Sequence, residues 1–347
     1  MMHRYLLHLL LVFFVLQGCK SGEPAVTSSA SFVEKMKEIR ISARTDSKVF
    51  YESLPSASGL EYVQGAYYVL GDDTPYLYEV DEQFILVNRH AIFDTTAVVE
   101  GRIPKAVKPD LEGMAHFTYG RDQMLLLLGS GASNTRNKGY LINLSDNMQV
   151  QELDLSRFYT FLKEVLHLES EGQLNLEGLA MDDIYTYLLQ RPLGAGSNTL
   201  LRFDTDDFKR FLMLEGEVPS VALYHFDLPV IGQSSASFSG AYSLEGKLYF
   251  TASVEDTPNA IDDGEVLGSF IGVIDLYSLP QAMDALNPYK ASVTQLKDTD
   301  GSAYSGKAES LVVMKGEEPK SYKVIVVSDD DQGHSELLEV QMELDES

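Results

Sequence analysis

The sequence "NLEGLAMDDIYTYLLQR" (175–191) contains a pattern that the chain repeats. A Leu-Glu-Gly step precedes a short apolar run, and a second apolar run follows it. The step recurs as "DLEGMAHF" (110–117) and, more loosely, as "SGLEYVQG" (58–65) and "KAESLVVM" (307–314). The glutamates are separated by 51 residues (61 to 112) and 65 residues (112 to 177). A unit that recurs at such intervals indicates a repeat architecture.

Each start is followed by the same order of strand-like runs, and "SASFSGAY" (235–242) begins a further unit without a glutamate. The second runs are rich in β-branched and aromatic residues, as in "QMLLLLGSG" (123–131) and "YKVIVVSDDD" (322–331), and turn residues separate them. Fourth strands are predicted at "FILVNR" (84–89), "QVQELDL" (149–155), "RFLMLEG" (210–216) and "SVTQLKD" (292–298). Helical patterns are confined to residues 156–169 and 280–288.

Four-stranded units repeated along a chain predict an all-β fold, the β-propeller, in which the units surround a channel. We count five blades, or six if an insertion hides a further unit. The last unit has only three strands, and the strand "KEIRISAR" (37–44) precedes the first unit. We therefore expect this N-terminal strand to complete the last blade and close the ring. A pair of β-sandwiches is the alternative.

The repeated glutamates predict a ring of side chains at one mouth of the channel. They stand where each first strand begins, and the second strands end on the same face of a propeller. Cationic residues follow several of the second strands, so the mouth mixes both charges, and cations of this kind bind anionic groups. The predicted ligand-binding residues are Glu61, Glu112, Arg136, Glu177, Arg191, Lys307 and Glu309.

Three roles are open for the acids of this mouth. The glutamates can lock the blades by accepting backbone N–H groups, they can contact an organic ligand, or the acids can hold Ca²⁺. Calcium takes six to eight oxygen ligands, so converging carboxylates suit it. The predicted metal-binding residues are Asp72, Asp73, Glu255, Asp256, Asp329 and Asp330.

The N-terminus predicts export and lipidation. Arg4 precedes the apolar run "YLLHLLLVFFVL", and "LQGC" (16–19) ends in Cys19, the only cysteine of the chain. This pattern is typical of a bacterial lipobox, although an ordinary signal peptide with an incidental cysteine is the alternative. We expect a signal peptide over 1–18, a lipidated tether over 19–35 and one propeller domain over 36–347. The protein would then be anchored in the bacterial cell envelope, on the periplasmic or the outer-membrane face.

The acidic composition of the chain argues against two classes of binding partner. The formal net charge is −25, which repels nucleic acid and anionic lipid headgroups. Membrane attachment would therefore depend on the lipid alone, and we expect a monomer. The sequence contains no Gly-x-Ser-x-Gly elbow and no His-Glu-x-x-His motif, so nothing in it points to a hydrolase of either type.

The Leu-Glu-Gly starts, together with "LLQR", "GSGASNTR" and "LYFTASVEDTPNAIDDGEVLGSFIGVID", resemble a group of bacterial propellers over residues 58–342. The group includes the esterase-like phytase and SdiA-regulated families and a related uncharacterised lipoprotein-type family. The phytase resemblance implies calcium and phosphate-ester substrates. The acids that would match this implication are Asp72, Asp73, Asp329, Asp330 and Asp331.

The sequence therefore gives a first functional hypothesis and two alternatives. The first is a lipid-anchored propeller that binds a small ligand or a partner at one mouth of its channel, without catalysis. The second is a calcium-dependent phosphoesterase that uses a metal-bound water. The third is a purely structural scaffold of the envelope.

Overall fold

The computed structural model describes residues 38–346, apart from 95, 97, 100–101, 169–172, 193–196, 215, 257–263, 281–285 and 331. The described residues belong to the compact unit Met36–Ser347. The predicted signal peptide, Cys19 and the tether lie outside them, as do Asp331 and much of the helix predicted over 280–288. Among the described residues, no helix is both long and apolar enough to cross a membrane.

The first element of the described residues is strand β1 (Ile39–Tyr51), and two antiparallel four-stranded blades follow it. The first blade consists of β2 (Ala57–Val63), β3 (Ala66–Gly71), β4 (Tyr76–Asp81) and β5 (Leu86–Ala91). The second consists of β6 (Leu111–Tyr119), β7 (Asp122–Gly129), β8 (Lys138–Asn143) and β9 (Gln149–Asp154). A 3₁₀ turn (Asn134–Arg136) lies in the loop between β7 and β8.

The third blade is preceded by helix α1 (Ser156–Val165) and contains a second helix. Its elements are β10 (Leu176–Met181), β11 (Tyr185–Gln190), β12 (Asn198–Asp204), helix α2 (Thr205–Leu214) and β13 (Val221–Asp227). A small ribbon follows, formed by β14 (Val230–Ile231) and β15 (Ser234–Ser235).

The fourth blade is formed by β16 (Ser237–Leu244), β17 (Lys247–Asp256), β18 (Glu265–Asp275) and β20 (Ser292–Gln295). A 3₁₀ turn (Leu276–Ser278) follows β18, and the short β19 (Tyr289–Lys290) pairs in parallel with β13 of the third blade. The last blade contains β21 (Lys307–Lys315), β22 (Ser321–Asp329) and β23 (Ser335–Glu346).

The N-terminal strand closes the ring, as the sequence predicts. β1 pairs antiparallel with β23 along its length, from Ile39 opposite Glu346 to Tyr51 opposite Ser335. The last blade thus receives its fourth strand from the other end of the chain. The five-bladed propeller is therefore confirmed, and the alternative pair of β-sandwiches is wrong.

The core consists of five hydrophobic clusters, one between each pair of neighbouring blades. β7 shows how the sequence produces this arrangement. Leu125 and Leu127 pack towards the first blade, whereas Leu126 and Leu128 pack towards the third. Successive side chains of a strand point to opposite faces, so a strand buried on both faces is a continuous apolar run. The "LLLL" run (125–128) is therefore a strand that a neighbouring blade covers on each face.

The prediction of a strand at "RFLMLEG" (210–216) is wrong, because residues 210–214 form the last part of helix α2. Phe208 and Leu212 are buried and lie one helical turn apart, and Asp206 and Asp207 occupy the first turn, where acids stabilise a helix. The fourth strand of this blade is β13 instead. The helix predicted over 156–169 forms as α1, and both helices pack against the cluster between the second and third blades.

Candidate functional site

Each innermost strand has a β-bulge near its start, and the bulge explains the repeated glutamates. The register of β6 shifts between Leu111 and Gly113, which leaves Glu112 as the extra residue. The same shift occurs in the other four innermost strands. A bulged residue has no partner across the ladder, so its side chain is free to point elsewhere. The bulge residues, in blade order, are Ser58, Glu112, Glu177, Ser239 and Glu309.

The glycine after the bulge permits close packing of adjacent blades. A Cβ atom on Gly113 would lie 2.9 Å from the Cβ of Leu179 in the third blade. A Cβ atom on Gly240 would lie 2.4 Å from the carbonyl oxygen of Glu309. Contacts this short require glycine at both positions. The Glu-Gly step therefore combines a free side chain with a close contact between innermost strands.

Serine at the bulge links one blade to the next. The Ser58 hydroxyl donates a 2.6 Å hydrogen bond to the carbonyl oxygen of Leu111, and the Ser239 hydroxyl donates one of 2.6 Å to that of Ala308. An ionised glutamate cannot donate such a bond. The ring therefore contains two structural serines and three glutamates that differ from them in chemistry.

The first group of charges at the mouth is the Lys108 cluster, which consists of Asp72, Lys108, Asp110 and Arg136. The Lys108 ammonium lies 2.5 Å from a carboxylate oxygen of Asp72 and 2.8 Å from one of Asp110. Arg136 donates to the other Asp110 oxygen at 2.6 Å, and the Ser130 hydroxyl donates to the same oxygen at 2.5 Å. The cluster thus joins the end of β3 to the start of β6.

The second group is the Arg191–Lys307 cluster, which consists of Glu177, Arg191, Glu255, Lys307 and Glu309. Arg191 lies 2.8 Å from Glu255 and 3.6 Å from Glu177, and Lys307 lies 3.0 Å from Glu309 and 3.5 Å from Glu255. Each cation is therefore shared by two carboxyl groups. These residues come from the third, fourth and fifth blades, so the cluster connects three blades across the mouth.

Buried carboxyl groups in the second cluster differ in their proton affinity. Burial raises the pKa of Glu177 to about 7, against the opposing effect of Arg191. Burial also raises the pKa of Glu309, although Lys307 opposes the shift. Burial pushes the pKa of Glu255 upwards too, but Lys307 and Arg191 together outweigh it and hold that pKa below its ordinary value. Glu255 is thus the ionised partner of both cations.

Glu112 differs from the other two bulge glutamates because no cation is paired with it. Among the described residues its side chain makes neither a hydrogen bond nor an ion pair within 4.0 Å, although the Lys108 ammonium is near enough for its charge to interact with Glu112. Burial, followed by the charges of Glu177 and Asp110, raises its pKa well above the ordinary value. Glu112 therefore holds its proton more tightly than an ordinary glutamate does, and its electrostatic partners belong to both clusters.

Glu61 lies apart from this mouth, because Ser58 occupies the bulge position of the first blade. The Glu61 carboxylate accepts a 3.1 Å hydrogen bond from the backbone N–H of His116 in β6. Only 6% of Glu61 is exposed, and burial raises its pKa to about 8. Glu61 thus links the first and second blades. In "SGLEYVQG" the glutamate therefore lies three residues after the bulge position of its blade, which is Ser58.

The six acids of the predicted metal site are distributed over separate places. Asp72 belongs to the Lys108 cluster and Glu255 to the Arg191–Lys307 cluster. Asp73 pairs with Arg102, and Asp330 pairs with the ring of His334 at 2.8 Å. Asp256 is exposed, and Asp329 ends β22, where its charge influences Arg102. The six carboxylates do not converge on one point.

A different set of acids could hold a metal ion. Asp72, Asp110 and Glu112 each offer an oxygen within 4.8 Å of the others, and among the described residues they form the one such group. One oxygen of Asp72 is buried without a hydrogen-bond partner, which suits an additional ligand. The Lys108 ammonium already neutralises Asp72 and Asp110, however, so a divalent ion would compete with it.

Sequence reasoning missed Lys108, Asp110, Arg102 and Asn175. Asn175 donates a 2.5 Å hydrogen bond to Glu177, and Arg102 also donates to Ser56. Both Lys108 and Asp110 immediately precede the Leu-Glu-Gly step in "KPDLEG", and Asn175 precedes it in "NLEG". The polar residues just before these bulges were therefore the sequence feature that could have predicted the partners of the mouth.

Comparisons with known proteins identify a family, and its model is not that of the esterase-like phytase or SdiA-regulated propellers that the sequence resembles. Residues 53–342 match the model described as "Family of unknown function (DUF6929)". A search of curated proteins found no match. Among solved structures, glutaminyl cyclase from Myxococcus xanthus is 12% identical, with a TM-score of 0.42, and the match covers 89% of this chain and all of that one.

Two arabinanases are similar to a comparable degree. The Bacillus subtilis arabinanase Arb43A is 11% identical with a TM-score of 0.43, and the match covers 85% of this chain and 96% of the enzyme. The α-L-arabinanase of Cellvibrio cellulosa, solved with arabinohexaose, is 10% identical with a TM-score of 0.43, covering 85% and 92%.

Proposed function

We propose that this chain, which belongs to the family of unknown function DUF6929, binds a small ligand at the channel mouth without catalysing a reaction. The ligand presents a positively charged nitrogen, an ammonium or guanidinium group, to Glu112. Lipid on Cys19 holds the propeller at the cell envelope, and the acidic surface keeps the domain itself away from anionic headgroups.

The observation that carries this proposal is the missing counter-ion of Glu112. At the same bulge position, Glu309 has Lys307 at 3.0 Å and Glu177 has Arg191 at 3.6 Å. Burial, together with the charges of Glu177, Asp110, Asp72 and Glu309, raises the pKa of Glu112. Lys108 also interacts with Glu112 electrostatically, but its ammonium is already paired with Asp72 and Asp110. A cation brought by a ligand would complete the pattern that the other two glutamates already have.

The charge balance of the mouth favours the same class of ligand. Its carboxyl groups outnumber its cations, seven to five, among the residues that the structure describes. The carboxyl groups are Asp72, Asp73, Asp110, Glu112, Glu177, Glu255 and Glu309, and the cations are Arg102, Lys108, Arg136, Arg191 and Lys307. Each of the five cations is already paired with a carboxyl group, so an anionic ligand would find no unpaired cation among them.

Binding of a cation to Glu112 requires the ionised carboxylate. Since the pKa of Glu112 lies well above its ordinary value, uptake of the ligand displaces a proton from this group. The affinity should therefore rise with pH until the pKa of Glu112 is passed. A ligand that contacted only the cations of the mouth would show the opposite trend.

Isothermal titration of the purified domain with putrescine, a simple diammonium probe, tests the proposal. We expect saturable binding that tightens as the pH rises, and that weakens at least tenfold in Glu112→Gln, or roughly 1.4 kcal/mol. Glu152→Gln is the matched control, because Glu152 lies in β9 of the same blade and pairs with Lys138 at the surface. Equal affinities of the two variants would refute a role for Glu112.

A calcium-dependent phosphoesterase, as the phytase resemblance implies, is the second candidate. The observation that favours it is the close approach of Asp72, Asp110 and Glu112. These three residues would hold the ion, and bound Ca²⁺ would supply a Lewis acid for a phosphate ester. Arg136 and Lys108 lie beside the same carboxylates and would contact the phosphate.

Two measurements separate this candidate from the first. A phosphoesterase predicts a calcium-dependent rise in melting temperature, since a ligand of the native state stabilises it, and turnover of p-nitrophenyl phosphate that a chelator abolishes. Binding of putrescine without either effect supports the non-catalytic proposal. Turnover that Asp110→Asn eliminates and Glu152→Gln retains would establish the enzyme instead.

A further inference from the structure

The second blade carries a cavity that neither cluster of the mouth occupies. Its volume is about 240 Å³, and it lies between the connection from β5 to β6 and the loop before β8. Apolar side chains form most of its lining. Those that matter here are Phe93, Val98, Ile103, Val107, Pro109 and Tyr140.

We infer that this cavity is a binding site for a small uncharged aromatic group. The site is independent of the ligand proposed for Glu112, since none of the residues above belongs to either ionic cluster. Three properties of the cavity support this assignment, namely its size, its lining and its access to solvent.

Size limits the occupant to one or two rings. An apolar cavity of roughly 150 Å³ is enough to hold benzene, whereas sites for drug-sized ligands begin at about 300 Å³. A volume of about 240 Å³ falls between these values. The cavity therefore suits a group such as phenol or indole rather than a sugar chain or a nucleotide.

The lining selects an aromatic group over a charged one. The rings of Phe93 and Tyr140 lie 5.5 Å apart at 30° to each other, a geometry that a third ring can extend by offset packing. The cation at the rim, Lys138, is neutralised by Glu152 at 2.6 Å. The other ionic residue of the lining, Asp94, is exposed, and its carboxylate accepts a 2.8 Å hydrogen bond from the backbone N–H of Thr96. A charged ligand would lose its hydration at the apolar wall, and an anion would gain no unpaired cation at this rim.

The cavity is open to solvent and not a defect within the core. Val107 lines it and remains 57% exposed, and Thr135, at the opposite side of the lining, is exposed as well. An apolar surface of this kind beside a functional mouth is a frequent property of ligand sites.

The wall of the cavity is also the wall of the mouth. In the segment 107–110, Val107 and Pro109 line the cavity, whereas Lys108 and Asp110 belong to the Lys108 cluster. Likewise Thr135 lines the cavity and its neighbour Arg136 binds Asp110. An occupant would therefore contact the backbone that positions the ionic cluster, from its other side.

Indole is the most direct probe, because the chain contains no tryptophan, and indole can be excited at wavelengths that the tyrosines do not absorb. We expect saturable binding of indole and phenol to the full chain, and weaker binding of benzoate. Val107→Phe and Thr135→Leu should each weaken indole binding at least tenfold, because both side chains are exposed and can fill the entrance without overpacking the core. Val87→Phe is the matched control, since Val87 is 53% exposed and lies in β5, away from the cavity.

The inference would be overturned if indole failed to saturate, or if Val107→Phe and Thr135→Leu bound it as tightly as Val87→Phe does. Glu112→Gln separates this result from the function proposed above. Indole binding that persists in Glu112→Gln supports an independent site. Loss of indole binding in that variant would show that the probe occupies the mouth and would contradict the cavity assignment.

Discussion

Replacing Glu61 by glutamine should change how the stability of the propeller depends on pH. Glu61 is 6% exposed and has no cationic partner, and burial raises its pKa from an ordinary value of 4.5 to about 8. The folded state therefore binds this proton more tightly than the unfolded state does. The stability that protonated Glu61 contributes is fully present below about pH 4.5 and is lost as the pH rises through about 8.

The size of the effect follows from the shift. At about 1.4 kcal/mol per pKa unit, the shift from 4.5 to about 8 corresponds to an upper limit of roughly 5 kcal/mol at full ionisation. At pH 7, where Glu61 is only partly ionised in the folded protein, the limit is roughly 3 kcal/mol. Glutamine stays neutral, and its oxygen can still accept the 3.1 Å hydrogen bond from His116.

Urea unfolding of the wild type and Glu61→Gln, from about pH 5 to about pH 9, measures the difference. We expect similar stabilities at the acidic end and a growing advantage for Glu61→Gln towards the alkaline end. Contributions of Glu177 and the other titrating groups cancel in this difference because both proteins contain them. Glu82→Gln is the control, since Glu82 is an exposed carboxylate of the same blade. A wild type and Glu61→Gln that lose stability in parallel as the pH rises would refute the reasoning.

Three further predictions concern the anchor, the ring closure and the mouth. Cys19→Ser should leave the protein soluble or as an uncleaved precursor, and its normal recovery with membranes would exclude lipidation at this residue. Deletion of residues 20–31 should be tolerated, whereas deletion of 20–44 removes part of β1, exposes the edge of β23 and should cause aggregation, measured by light scattering. Equal solubility of the two truncations would contradict this. Lys307→Met leaves Glu255 and Glu309 without their ammonium, so urea unfolding should show a loss of roughly 3 kcal/mol, partly restored by adding Glu309→Gln. A loss that Glu309→Gln does not restore would mean that Lys307 acts through packing.

The sequence was sufficient for the architecture because the propeller repeats its signal. Every blade is buried on both faces, so runs such as Leu125–Leu128 identify strands without any alternation of polar residues. The order of runs and the spare N-terminal strand then fix the number of blades and the closure. Helix α2 lies where the apolar run "RFLMLEG" predicts a strand, because the spacing of Phe208 and Leu212 puts both side chains on one buried face of a helix.

The site could be predicted only in part. Glu112, Glu177 and Glu309 share one position because the repeat itself contains the bulge. The bulge of the first blade lies at Ser58, and sequence similarity alone placed Glu61 there instead. Which cation pairs with which acid depends on how loops from different blades meet. Arg191 reaches Glu255 of the next blade, and no spacing in the sequence encodes that contact.

The bulge position explains why the channel chemistry can vary while the fold stays fixed. A bulged residue is outside the ladder, so the sheet does not depend on its side chain. Ser58 and Ser239 use this freedom to bond the next blade, whereas the glutamates of the second, third and fifth blades direct charge into the channel. Two of these charges are balanced from within the protein, by Arg191 and Lys307. The imbalance is therefore local to the second blade, where Glu112 lies beside the Lys108 cluster, and a ligand of this mouth should be oriented with its cationic end over that blade.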